Sequence, residues 1–219
     1  MARGPSFSTA NAKLLHMLEH PGSCMDWSRM HQTEFEIDKT ALVQASRWRQ
    51  KAPDNPQKMI STKRIPIVIA GKTIKPIASH KFLGVIIDEQ LHFKEQIATT
   101  TSKGSKYALA CCQLAKPSLG IRPHLMWRLY NCVVVLKLLY AVDVWGTKMM
   151  ARLGSRAGWK GHGKLLKRVL RMHMLTTTGA MRTTTTDTAV AHANLLPIPF
   201  QLQCLCFRAS AHMCNSPET

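Results

Sequence analysis

The sequence predicts an α+β chain: a small antiparallel β-sheet with an N-terminal helix, followed by an all-α portion of about five helices. Three observations predict it. Between residues 65 and 88, isoleucine and valine alternate or form short runs bounded by glycine and proline, which is a strand pattern. From Leu91 the apolar spacing changes to three, four or seven residues, which is a helical one. Charge divides the chain at the same place. Residues 1–95 hold 14 basic and 9 acidic side chains, whereas residues 96–219 hold 16 basic and 3 acidic ones, Asp143, Asp187 and Glu218.

The elements follow in order. Ser8 is placed to cap a helix running to about His20, with Ala10, Leu14, Leu15 and Met17 or Leu18 turned inward. Pro21-Gly22 stops it. Asp26 caps a short helical turn through Met30. Phe35, Ile37, Leu42 and Val43 predict two short strands around Asp38-Lys39, and Arg47 to Lys63 reads as a polar loop. Ile65, Ile67 and Ile69, the turn Ala70-Gly71-Lys72, then Ile74 and Ile77 form a hairpin signal. The run Phe82 to Asp88 is the strand that closes the sheet, and Gly84 within it marks a bulge or a close approach of another backbone or a ligand.

Phe93, Ile97, Gly104, Ala108, Cys111 and Ala115 lie on one stripe of a helix of about 24 residues. Pro123 opens a second helix reaching about Trp145. Gly154, Gly158, Gly161 and Gly163 separate two further helices, the second over Lys164–Met174. Thr184 with Asp187 resembles a capping box. Short helices then span about 187–194 and 199–213.

The net charge of +18 and pI near 10.0 predict a polyanionic partner, met mainly by the second half. A hydrophobic content of 45% excludes a wholly disordered chain. The longest apolar run, Cys132 to Val142, is interrupted by Lys137 and falls short of the roughly 20 residues of a membrane span. Seven cysteines in no paired spacing, with an N-terminus lacking an apolar leader, predict a reducing intracellular compartment, the nucleus for a chain that meets nucleic acid.

Chemistry-bearing motifs are few. No Gly-rich phosphate loop, zinc-protease helix or serine elbow is present. Glu34, Glu36 and Asp38 would alternate along a strand face and could hold a cation, although a solvated edge is the commoner use of such a pattern. Cys204, Cys206, His212 and Cys214 fit no common zinc spacing, and residues two apart on a helix face opposite ways. Trp127 and Trp145 read as core residues. Trp159, between Gly158 and Lys160, is the best candidate for stacking on a base.

One resemblance joins these features. Lys81-Phe82-Leu83-Gly84-Val85-Ile86-Ile87-Asp88, then Leu91, Phe93 and Lys94, resembles a segment of the non-LTR retrotransposon reverse transcriptases. Arg128-Leu129-Tyr130, Val133-Val134, Leu139-Tyr140-Ala141, Asp143 and Trp145 resemble the family's next helix, and Leu195-Leu196-Pro197-Ile198 its connecting region. The resemblance implies a partial palm over residues 1–90 ending in a primer-grip strand, a helical thumb over 91–146 and a basic helical connector over 147–219. It implies a template–primer duplex of RNA and DNA as a non-specific partner, and an upstream polymerase part as a second.

The nucleic-acid-binding residues expected on the two grounds are Lys81, Gly84, Lys94, Lys103, Lys106, Arg122, Arg128, Trp159, Lys160, Lys164, Lys167, Arg168 and Arg171. The chain departs from the family in holding no Asp-Asp pair, so the carboxylates that bind the family's magnesium are absent. No catalytic residue, metal or cofactor is therefore expected. Leu136 also replaces the family's helix proline. The expectation is a catalytically silent fragment of an RNA-directed DNA polymerase. The alternatives are a basic helical binding or scaffold protein, or a retroelement relic without activity.

Overall fold

The computed structural model describes residues 2–46, 49–51, 53, 57, 59–69, 71–115, 120–150 and 162–215. It is a mixed α+β structure that divides into two compact units, Met1–Phe93 and Lys94–Thr219.

The first unit opens with α1 (Phe7–Glu19) and α2 (Cys24–Met30). Ser6, rather than Ser8, caps α1: its hydroxyl accepts from the Thr9 amide at 3.2 Å. Gly22, at φ 82°, turns the chain between the helices. Ser23 takes the cap position of α2, and Asp26 in the first turn accepts from the Gly22 amide at 2.9 Å. The strands expected around Asp38 are replaced by a 3-10 turn, Ile37–Lys39. Salt bridges there occupy the charges locally: Lys39 with Glu36 at 2.5 Å and Lys72 with Asp38 at 2.9 Å.

Among the described residues the single expected sheet is three separate antiparallel hairpins. They are β1 (Arg49–Lys51) with β2 (Met59–Ser61), β3 (Ile67–Ile69) with β4 (Lys72–Ile74), and β5 (Ser79–Phe82) with β6 (Val85–Asp88). The first lies inside the stretch read as a polar loop. The second is the expected hairpin, with Ile67 and Ile69 buried and Gly71 at φ 77° in its turn.

The third hairpin corrects the expected strand. Leu83 and Gly84 have φ of 46° and 83°, so the run from Phe82 to Asp88 folds back on itself through a two-residue turn. Left-handed conformation at both positions matches the twist of the flanking strands, and glycine supplies one of them freely. Gly84 is thus a turn residue rather than a bulge within one strand. The apolar pattern could not reveal this, because the turn exposes Phe82 and Leu83, 61% and 77% accessible, while only Val85 is buried.

Polar contacts replace the missing sheet. Gln44 is buried; its amide donates to the Ile65 carbonyl at 2.6 Å and to Asn11 at 3.1 Å, and its oxygen accepts from the Ile65 amide at 3.0 Å. Arg64 pairs with Glu89 at 2.9 Å, and the Glu89 carbonyl accepts from the Ser46 amide at 2.8 Å. The extended segment 41–46 is thereby tied to the residues just before β3 and just after β6.

The second unit is helical. Its first helix, α3 (Lys94–Leu114), buries Ile97, Gly104, Ala108 and Cys111 of the predicted stripe, together with Gln96 and Thr100, and ends before Ala115. The second expected helix is divided into α4 (Pro123–Leu129), a π-helical stretch Tyr130–Val135, α5 (Leu136–Leu138) and α6 (Val142–Trp145). Ala141, left-handed at φ 50°, breaks it before α6. Leu136 donates its amide to the Val133 carbonyl, a bond that proline cannot make. Next come α7 (Thr147–Met150), α8 (His162–Thr178), α9 (Thr186–His192) and α10 (Ile198–Asn215). The cap of α9 is Thr185, which accepts from the Thr188 amide, so a simple cap one residue on replaces the box expected at Thr184 with Asp187.

The helices share one core. Helix α3 packs on α8 and on the π-helical stretch, and α10 packs on α6. Met126, Tyr130, Val134, Leu138, Trp145, Leu166, Leu170, Met174, Ile198 and Leu202 are at most 1% accessible. Gly104 lets α3 approach α5: a Cβ there would lie 2.6 Å from Leu138 Cδ1. The four cysteines Cys24, Cys132, Cys204 and Cys214 are exposed, whereas Cys111 and Cys206 are buried.

Candidate nucleic-acid interface

The expected binding residues divide between the units. Lys81 is exposed on β5 and Gly84 sits in the hairpin turn, both in the first unit. Lys94, Lys103 and Lys106 are exposed along α3, Arg122 is the residue before α4, and Arg128 is exposed in its last turn. Trp159 and Lys160 lie outside the described residues.

Helix α8 brings three of them together. Lys164, Lys167 and Arg168 are exposed at spacings of three and four, hence on one face. The opposite face, Leu166, Val169, Leu170, His173 and Met174, is buried, which fixes the basic face toward solvent. Arg171, at the next position of the same ridge, has another task. Its guanidinium donates to Thr186 Oγ1 at 2.9 Å and to the carbonyls of Arg182 at 2.6 Å and Thr184 at 2.8 Å. Five fixed donors suit arginine to such a fork, and they clamp the 182–186 loop onto α8.

Asp88 has a local structural role that the sequence reading missed. Its carboxylate accepts from the amides of His92 at 2.9 Å and Phe93 at 2.7 Å, just before α3 begins at Lys94. Burial pushes its carboxyl upward, but backbone donors at His92, Phe93 and Gln90 outweigh burial and leave it below the ordinary carboxylate value. Leu91 and Phe93 are both left-handed, at φ 52° and 56°, and Asp88 holds this irregular entry closed. An aspartate just before a helical stripe is the signal for this role.

A buried polar cluster lies in the helical core. The rings of Tyr130 and His173 stack with centroids 4.6 Å apart, and both residues are fully buried. His173 Nε2 lies 3.3 Å from the Met126 carbonyl. Burial lowers the basicity of His173, against which the Met126 carbonyl acts, and raises the Tyr130 hydroxyl, against which the Gln201 amide acts. Both are neutral at physiological pH, so the cluster has no charged form to offer a partner. Its histidine was legible in the sequence, since it falls on the apolar stripe of α8.

Among the described residues no group of three His, Cys, Asp or Glu side chains is placed to hold a metal ion, and no helix is long and apolar enough to cross a membrane. The acidic trio Glu34, Glu36 and Asp38, now around a 3-10 turn, and the cysteines of α10 do not form such a group. Cys206 is buried near the Val142 carbonyl, while Cys204 is exposed.

One open cavity of about 760 Å³ lies among α4, the end of α8 and the end of α9. Trp127 lines it, with its indole N–H donating to the Asn194 carbonyl at 2.9 Å. Trp145, in contrast, is a core residue, 1% accessible, as its apolar neighbours predict. No family model, curated protein or solved structure matches the chain.

Proposed function

We propose that the chain binds duplex nucleic acid weakly and without sequence preference, as a catalytically silent piece of a retrotransposon RNA-directed DNA polymerase. The observation that carries the reading is the solvent-facing ridge Lys164, Lys167 and Arg168, within a half of the chain whose basic residues outnumber its acidic ones by 16 to 3. Exposed lysine and arginine meet phosphates without reading bases, and each phosphate neutralised releases counterions. Lys103, Lys106, Arg122 and Arg128 extend the same unit's supply of exposed cations. On the resemblance, the hairpin around Gly84 is a primer-grip element and the helical unit a thumb with its connector. Polymerisation is not assigned, because two-metal phosphoryl transfer needs carboxylates that the chain lacks.

Filter binding of an RNA–DNA duplex as a function of salt tests the reading. The expected result is measurable binding at low salt and a log–log slope of about −0.9 per phosphate contacted. Absence of binding at low ionic strength, or affinity indifferent to salt, would sink it.

A further inference from the structure

The α4–α8–α9 cavity has no part in a duplex-binding ridge, and its construction indicates its own ligand. We infer that it takes a single unstacked nucleobase, of the kind carried by a strand end or loop, lying against the indole of Trp127. The inference rests on the nucleic-acid reading above only for the source of that base.

Four features carry it. Trp127 is 37% accessible, and its indole N–H is already engaged by the Asn194 carbonyl, so the ring has no donor of its own left to satisfy. Where α8 ends, the lining residues Thr177 and Thr178 have their hydroxyls engaged, donating to the carbonyls of His173 and Met174. Helix α8 ends there, before Gly179 at φ 65°, whereas the α9 carbonyls of Ala189, Val190 and Ala191 already accept from the amides of Ala193, Leu195 and Asn194. Helix C-termini present carbonyl oxygens, which accept from the ring and exocyclic N–H groups of a base and disfavour an anion.

The rim supplies the fourth feature. His124 and His192 add two exposed imidazole faces, and no described lining residue carries a carboxylate. A volume of about 760 Å³ admits one nucleotide with room to exchange. A proline-rich peptide could also use a tryptophan plate, but it has few N–H groups to give the α8 carbonyls, and the excess of cations in residues 96–219 favours an anionic chain.

Ligand-observed NMR on the full chain tests this, with adenosine, adenosine monophosphate, ribose 5-phosphate and a proline-rich decapeptide as separate probes at low millimolar concentration. Adenosine and adenosine monophosphate are expected to show saturation transfer to their ring protons, and ribose 5-phosphate and the peptide none. Trp127→Ala should weaken adenosine binding about tenfold, the effect of losing one stacking partner. Trp127→Phe should largely retain it. His192→Ala, at an exposed position, should weaken it without altering the circular dichroism spectrum. No transfer to adenosine, equal transfer to ribose 5-phosphate, preference for the peptide, or adenosine binding unchanged in both Trp127→Ala and His192→Ala would each overturn the inference. Duplex filter binding separates the two readings: duplex binding without adenosine binding fails this one alone, and the converse fails only the other.

Discussion

Gln44 shows how much one side chain contributes to the first unit. Its amide satisfies both the N–H and the carbonyl of Ile65, and it reaches Asn11 on α1. Gln44→Ala would leave the Ile65 N–H without this acceptor, while Asn11 still reaches the Ile65 carbonyl, with an expected loss of about 1 kcal/mol in urea-unfolding free energy. Asp88 is the corresponding residue at the other end of the unit. With its folded pKa below the unfolded value of about 3.9, its contribution is present above that pH and is lost as pH falls through the lower folded value. Asp88→Asn should flatten this acid limb and cost about 1 kcal/mol at neutral pH, the typical worth of a carboxylate cap. Denaturant midpoints measured from pH 7 down to acid would show both effects. Gly104 is a third such position. Alanine there gains about 1 kcal/mol of helix propensity, but its Cβ would meet Leu138, which is fully buried and has no room to yield. The expected net result of Gly104→Ala is a lower thermal midpoint, because overpacking costs about 1–3 kcal/mol.

Among the elements, α8 separates charge that binds from charge that builds. Reversing Lys164, Lys167 and Arg168 to glutamate should abolish duplex retention at low salt while leaving the thermal midpoint within a few degrees of the parent. Arg171→Ala should do the opposite, lowering the midpoint through the freed 182–186 loop. A sequence alone ranks the four cations equally, since all lie on one ridge. The distinction comes from the carbonyls of Arg182 and Thr184, which approach only after the chain has turned back. The same limit explains the hairpins. The stripe of α3 was legible because 3.6-residue periodicity is intrinsic to the helix. The turn at Leu83-Gly84 was not, because an apolar residue at a hairpin tip breaks the rule by which strands are found. The π-helical stretch was hidden too, since Tyr130, Val134 and Leu138 keep a spacing of four through it, as an unbroken α-helix would. In the candidate site, the basic ridge could be read directly, but the cavity could not: Trp127, Thr177 and Asn194 lie up to 67 residues apart in the chain.

On the scale of the molecule, the two units are built on different physics. The first has little apolar core and depends on Gln44, Arg64 and Asp88, with Phe82, Leu83 and Val68 left exposed. The second has a continuous core from Ile97 to Cys206 and carries the exposed cations of the proposed duplex interface. Its two buried thiols turn that difference into a clock. Burial raises Cys111 and Cys206 in pKa, with Cys112 and Asp143 respectively adding to the effect, and only the thiolate attacks a disulfide reagent. The exposed Cys24, Cys132, Cys204 and Cys214 should therefore react with an aromatic disulfide at once, and Cys111 and Cys206 only as fast as the helical unit opens. Because one thiol lies on α3 and the other on α10, equal rates for the two would mean that the unit opens as a whole. A faster Cys206 would mean that α10 peels away first, so the chain carries a built-in recorder of its own unfolding order.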